Sequence, residues 1–297
     1  MLVSEATPAQ REQQFKAPQF LLPEKPLVVI EASNAWVPVN VGDLWTYREL
    51  LFILAWRDLK VRYKQTVVGI VWIVMQPLLM TVIFTIFLGS LARVPSAGQV
   101  PYAIFVYAGL VLWTFFSGAI SVGGQSLLGN SQLITKIYFP RLIIPCAVIV
   151  GRLIDLFISL ALLAILLVCY RVPITWSILF MPIPLALTIL LALGFSMLTA
   201  ALNIKYRDVG IALPMLIQLW MFTSPVLYDV SLVPSRWQRI YALNPLVGIL
   251  QNFRASLFGG IPFDWLALAI AIFITFSLLV YSAYAFRRAD KSFADLV

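Results

Sequence analysis

The chain has 297 residues, 61% of them hydrophobic and only 11% charged, with a mean hydropathy of +0.93 and a net charge of +8. A soluble domain carries roughly 25% charge, so these proportions exclude one and describe a protein whose helices lie in a bilayer. The basic balance follows from membrane orientation rather than nucleic-acid binding, because no separate basic domain exists.

Residues 1–42 are polar and rich in Pro and Gln. They lack the apolar core of a secretory signal, so the chain is expected to keep them in the cytoplasm and to insert through its first span. From Arg57 to Lys64 five charges fall on eight residues, and the next charge is Arg93. On a helical wheel Phe52, Trp56, Leu59 and Tyr63 all fall within about 40° of Trp45, while Arg57, Asp58, Arg62 and Lys64 point away. Residues 43–65 therefore read as an amphipathic helix in the cytoplasmic interface. Trp56 lies on its apolar stripe, Lys60 belongs to the same helix, and Arg57, Arg62 and Lys64 face water, phosphate headgroups or a partner. Leu50, Leu51 and Leu54 blur the stripe. A basic flank that only fixes topology explains the charges but not the aromatic residues.

A hydrocarbon core of about 30 Å needs about 20 apolar residues of helix. Six stretches qualify, at about 66–91, 102–127, 142–170, 178–203, 210–228 and 264–286. Continuous apolar runs call for helices rather than barrel strands, which would alternate. The expected fold is an all-α integral membrane protein with an interface helix and six transmembrane helices. With the N-terminus inside, fifteen of the 21 Lys and Arg residues fall in the cytoplasm; Arg93, Arg171, Arg236, Arg239 and Arg254 fall outside, and Arg152 lies in a span. Both termini are then cytoplasmic. Cys146 and Cys169 share one predicted helix about 35 Å apart and cannot pair.

Arg152 and Asp155, in GRLIDLF, stand three residues apart inside the third span. Each costs about 2.5 to 3.5 kcal/mol at a span centre, which the flanking apolar residues outweigh. They share a face and can neutralise each other, as a lock inside the bundle or as a substrate or proton site. Residues 229–262 are too long and too apolar for a simple loop. Pro234, Pro245, Gly259 and Gly260 cut them into pieces that suit re-entrant or interfacial segments.

Five segments then carry a resemblance. WRDLKVRYKQTVVGIVWIVMQPLL, LITKIYFPRLIIP, LNIKYRDVG, SPVLYDVSLVP and LNPLVGILQNFR occur in this order. Together, from about residue 36 to the C-terminus, they resemble the membrane subunit of ABC-2 type exporters, within that class the polysaccharide and polyol-phosphate permeases of O-antigen, capsule or teichoic acid export. The resemblance implies a six-helix domain over residues 66–297 and a coupling helix at about 130–140 that docks into an ATPase subunit. There Ile137, Tyr138 and Phe139 would act as anchors, with Lys136, Pro140 and Arg141 beside them; an ordinary basic loop is the alternative. Tyr206, Arg207 and Asp208 become a secondary contact or gate element, or a tight loop with a local ion pair. Residues 229–262 become an extracytoplasmic gate of short helices.

The same resemblance implies a channel at a two-fold axis. Trp72, Tyr107, Trp113, Phe116, Trp220 and Tyr228 are its candidate aromatic lining, Gln76 before Pro77 a polar member; lipid-facing packing is the usual work of such residues. A homodimer bound to two ABC ATPases, in the cytoplasmic (inner) membrane and moving a lipid-linked glycan, is the implied assembly. No G-x-x-x-x-G-K-[ST] phosphate cradle occurs. ATP and Mg²⁺ are therefore expected on the ATPase partner and no cofactor on this chain. Alternatives are an ABC-2 exporter of a lipid or drug, a secondary transporter, and a membrane glycosyltransferase. The last would want paired carboxylates or a metal cluster, and this chain has no His and one acidic residue in its spans. A secondary transporter would carry its own ion site and often an internal repeat, and none is visible.

Overall fold

The computed structural model describes residues 41–64, 71–94, 100–137, 139–173 and 175–290. Residues 1–40 of the expected N-terminal segment 1–42, and Tyr138, lie outside the described residues. The described residues are mainly helical and contain no strand: α1 Val41–Thr46, α2 Arg48–Lys64, α3 Val71–Phe84 running on as a π-helical segment Thr85–Leu91, α4 Tyr102–Gly129, α5 Ser131–Lys136, α6 Ile143–Cys169, α7 Pro182–Lys205, α8 Asp208–Phe222, α9 Ser235–Tyr241, α10 Pro245–Leu257 and α11 Trp265–Asp290. Short 3-10 turns at Trp176–Phe180 and Val230–Leu232 precede α7 and α9.

Five of these are long and apolar enough to cross a bilayer: Val71–Leu91, α4, α6, Trp176–Lys205 and α11. The fifth expected span, 210–228, is a shorter helix. α8 has 15 residues, about 22 Å at 1.5 Å per residue, against a hydrocarbon thickness of about 30 Å. Beyond Phe222 the chain leaves the helix and turns through Ser224, Pro225, Val226 and Leu227, all buried.

α4 is the central element. It lies between α6 and α7, and α7 in turn lies between α4 and α11, while α3 and α8 flank α4 and α10 packs on α11. Lipid is as apolar as Leu, so helices associate through close packing and interhelical hydrogen bonds. The seam between α4 and α7 has both. A Cβ on Gly123 would come within 2.5 Å of the Ser196 hydroxyl, Ser196 donates to the Ala119 carbonyl at 3.1 Å, and Asn203 donates to the Gly124 carbonyl at 2.9 Å. Pro182 and Pro245 open α7 and α10 at the position where a missing N–H costs nothing.

α2 exists as the helix expected within 43–65, but its packed face is different. It lies along the first half of α6, burying Leu54 and Ala55 with Leu50, Leu51 and Tyr47 beside them. The aromatic stripe is turned outward, with Trp45, Phe52 and Trp56 exposed and the last two rings stacked at 6.4 Å. Arg62 and Tyr63 turn in toward α6 instead of following the polar or the aromatic face.

Candidate functional site

Three groups of candidate residues occupy distinct places in the bundle. The loop expected to couple contains α5, six residues long and ending at Lys136. Lys136 and Ile137 are exposed. Phe139, expected as an anchor for a partner, is buried with Ile134, Ile143 and Phe286, so it fastens the loop to its own bundle. Arg141 turns to the end of α11, where it donates to the Asp290 carbonyl at 2.7 Å and its carboxylate at 3.1 Å, a cation at a helix C-terminus. Pro140 is half-buried. In the second loop Tyr206, Arg207 and Asp208 are all exposed. Lys205 lies over the Tyr206 ring, and among the described residues Arg207 and Asp208 form no ion pair.

On α2, Arg57 bonds Asp58 at 2.7 Å and reaches the Asn130 side chain, also at 2.7 Å, tying α2 to the start of α5. Lys60 sits over the Trp56 ring, and Lys64 is exposed. The expected pair Arg152 and Asp155 is present at 3.2 Å, but it belongs to a larger cluster. Arg62 reaches the same Asp155 oxygen at 2.7 Å, and Tyr63 donates to the other oxygen. Burial first, then the bond to Asp155, pushes the Tyr63 hydroxyl up to about 12. It therefore remains a neutral donor at physiological pH.

The aromatic candidates divide sharply. Tyr107, Trp113 and Phe116 are buried in the protomer's own core. Tyr107 donates to the Ser159 carbonyl, and Phe116 meets Phe195 and Trp220 edge-on at 6.1 and 5.2 Å. These three rings cement α4 to its neighbours and lie out of reach of a channel along this protomer's surface. Trp72 and Gln76 are exposed on α3; Trp220 and Tyr228 are half-buried.

The end of the bundle opposite the exposed loops carries the most developed polar network, built around the turn after α8. Irregular backbone at membrane depth is tolerated only where its polar groups find protein partners. Each carbonyl from 222 to 227 finds one. Tyr228 donates to Phe222, Asn244 to Thr223, the Val226 amide to Ser224, Arg254 to Pro225 and Val226, both at 2.6 Å, and Tyr102 to Leu227.

Arg254 was legible in sequence only as one of the outside cations. It is 3% exposed, has no carboxylate partner among the described residues, and also donates to the Phe105 carbonyl at 3.2 Å with its guanidinium 3.6 Å from the Phe105 ring centre. Gly109 leaves room for it: a Cβ there would stand 2.4 Å from both the guanidinium and the Val226 carbonyl. Asn244 uses its whole amide, accepting from Trp220 and from the Leu246 amide as N-cap of α10 while donating to Thr223 and Ser224. Beside this network lies an open groove of about 490 Å³ lined by Trp220, Thr223, Val233, Trp237, Ile240 and Tyr241 among others.

Among the described residues no cluster of His, Cys, Asp or Glu could hold a metal ion. The geometry is that of a helical body with membrane-length apolar helices, a braced turn region after α8 at one end and exposed loops at the opposite end.

Similar proteins agree with this reading. One from Myxococcus xanthus, named O-antigen export system permease protein RfbA, is 29% identical over 219 residues, which cover 72% of this chain and 82% of its own length. Two from Klebsiella pneumoniae with the same name are 26% identical over 260 and 263 residues, 87% of this chain and 97% of theirs. Residues 49–258 match the family model described as ABC-2 type transporter, a stretch that runs from α2 to the end of the braced outer segment, and the chain is therefore a member of the ABC-2 transporter membrane family.

Proposed function

We propose that this chain is the transmembrane subunit of an ATP-driven exporter that moves a lipid-linked O-antigen or similar polysaccharide out across the cytoplasmic membrane. The observation that carries the reading is similarity over 87% of the chain, and nearly the whole of the relatives, to permeases named for O-antigen export. Two copies form the channel around a two-fold axis, and a pair of separate ABC ATPases binds ATP and Mg²⁺ beneath them. The broad exposed apolar surface of α3 and α8 supports the pairing. Met75, Leu79, Met80 and Ile83 on α3, with Met215, Leu216 and Leu219 on α8, face away from the protomer's core.

Lys136 and Ile137 are the contact to the ATPase on this reading, because Phe139 and Arg141 are committed to the permease itself. Trp72, Gln76, Trp220 and Tyr228 are the lining candidates left once the buried rings are removed. The test is reconstitution of the chain with its partner ABC ATPase in vesicles holding a lipid-linked O-antigen. Glycan should move only with ATP and both subunits present. Replacing Lys136 and Ile137 by Ala should leave the complex folded while separating ATP turnover from export. Export driven by an ion gradient without the ATPase would refute the proposal.

A further inference from the structure

Two guanidinium groups and a single carboxylate meet where α2 crosses α6, which leaves one uncompensated positive charge inside an apolar bundle. Arg62 and Arg152 both bond the same Asp155 oxygen, at 2.7 and 3.2 Å, and Tyr63 occupies the other. Among the described residues no second carboxylate pairs with either arginine. The Nε of Arg152 is buried without a hydrogen-bond partner, and the Arg152 head lies over Gly118 of α4, where a Cβ would come within 3.0 Å. The cluster is nevertheless open on one side, with the Arg62, Arg152 and Asp155 side chains 30%, 21% and 14% exposed.

Depth places this opening near the inner leaflet. Asp155 is 14 residues from Cys169 at the outer end of α6, about 21 Å at 1.5 Å per residue. A hydrocarbon core of about 30 Å then ends about 9 Å further in. Long arginine side chains reach across such a gap toward headgroups. An anion is what the surplus charge calls for, and adjacent guanidinium forks match the oxygens of phosphate better than any other common lipid-borne anion.

We infer that Arg62 and Arg152 form a binding site for the phosphate or diphosphate headgroup of a lipid, with Asp155, itself held by Tyr63, as the positioning residue that keeps both guanidinium groups side by side. This deepens the export reading and rests on it, since a lipid-linked glycan presents such a headgroup to the inner leaflet. Neutral Tyr63 donates its proton to Asp155, which leaves the arginines' remaining N–H groups for the ligand. The bond from Arg62 to α6 also makes α2 part of the site, which the interface-helix reading alone does not require.

The test uses the full chain purified with its ATPase. Binding is measured by native mass spectrometry for geranylgeranyl diphosphate, phosphatidylglycerol, inorganic pyrophosphate and the uncharged alcohol geranylgeraniol. The wild type should bind the diphosphate and not the alcohol. Arg62→Gln and Arg152→Gln should each weaken diphosphate binding about tenfold, the loss of one charge-assisted contact. Arg171→Gln, an exposed cation just past the far end of α6, should leave it within about twofold. Preference for geranylgeranyl diphosphate identifies the carrier lipid as the source, equal binding of phosphatidylglycerol identifies bilayer phospholipid, and equal binding of pyrophosphate identifies the free anion; all three support the site.

Wild-type affinity in both glutamine variants, or equal binding of the alcohol, overturns it. Should the glutamine variants fail to assemble, Arg62→Lys and Arg152→Lys keep the charge but lose the fork and should still bind measurably more weakly; unchanged affinity there refutes the site as well. A wild-type complex that binds the diphosphate yet moves no glycan would defeat the export reading alone. A complex that exports while its arginine variants bind normally would defeat this inference alone.

Discussion

Replacing Arg254 by Met removes a guanidinium that holds three backbone carbonyls and fills nearly the same volume with apolar atoms. The three contacts, to Phe105, Pro225 and Val226, are each worth about 1.5 to 3 kcal/mol as hydrogen bonds to a charged group, roughly 5 to 9 in all. Methionine does not carry the several kcal/mol of desolvation that a buried cation does, so part of that loss is returned. The carbonyls decide the sign. Pro225 and Val226 have no other donor among the described residues, and each stranded buried acceptor costs about 1 to 3 kcal/mol. The expected net loss is about 2 to 4 kcal/mol. For a chain of this size, whose unfolding entropy is about 0.6 kcal/mol/K, that corresponds to a fall of roughly 3 to 7 °C in apparent melting temperature. Membrane proteins often unfold irreversibly, so wild type and variant are compared at one heating rate in the same detergent. Hydrogen exchange should show the amides of residues 223–228 losing protection while those of α4 keep theirs. Arg254→Lys should fall between, because an ammonium is a point donor that cannot span three carbonyls or lie flat on Phe105. A methionine variant that melts with the wild type and protects 223–228 equally would refute the idea that this arginine braces the outer turn.

Gly109→Ala drives a methyl into the Arg254 head and the Val226 carbonyl; it should destabilise by about 1 to 3 kcal/mol. Its effect should fall well short of additive with Arg254→Met in a double-mutant melting cycle, since the two share one locus. Asn244→Asp keeps the helix cap but turns a donor to Thr223 and Ser224 into a carboxylate, so the same melting assay should report a loss of about 1 to 3 kcal/mol that Asn244→Ala only partly reproduces. The Tyr63 hydroxyl is raised in the folded state from 10 to about 12. Its contribution is therefore fully present below pH 10 and lost as pH rises through 12. Melting temperature followed across that window should drop more steeply for the wild type than for Tyr63→Phe.

The long spans were readable because the bilayer itself sets their length. Stretches expected at 142–170 and 178–203 are observed at Ile143–Cys169 and Trp176–Lys205, and an uninterrupted apolar run was signal enough. The fifth span was read too long for a reason that is not local. Residues 210–228 are apolar throughout, but the helix stops at Phe222 and the turn beyond it is held by Tyr102, Asn244 and Arg254. Those donors lie remote in the chain, and periodicity within the segment says nothing about them. Arg254 itself left one weak trace, since residues 230–263 contain no Asp or Glu to pair with it.

Side-chain faces were harder still, and the failures share a cause. In water the apolar face of a helix is the packed one, but in lipid both faces can be apolar and only close packing or a polar contact marks the protein side. The wheel for α2 therefore marked Trp45, Phe52 and Trp56, which point outward, while Leu54, noted there only as blurring the stripe, is buried together with Ala55. Tyr107, Trp113 and Phe116 were weighed as channel lining for the same reason, although they are core. The charged pair of α6 was legible at three-residue spacing. Its partners Arg62 and Tyr63, about ninety residues earlier, were not.

The two arginine sites of this chain meet the same cost in opposite ways, and the difference decides what each can do. Beside the turn after α8, Arg254 is enclosed and every carbonyl it touches belongs to the fold, so its hydrogen bonds are spent on holding a short helix and its turn in place. Where α2 crosses α6, Arg62 and Arg152 share one carboxylate, keep a surplus charge and remain open on one side. An enclosed cation satisfied by carbonyls cannot exchange partners without unfolding its surroundings, whereas an accessible cation with donors to spare can take up an anion and release it. Access, rather than the presence of charge in the membrane, separates the brace from the candidate site. Hence substitutions at Arg254 should register first in stability and substitutions at Arg62 or Arg152 first in ligand affinity.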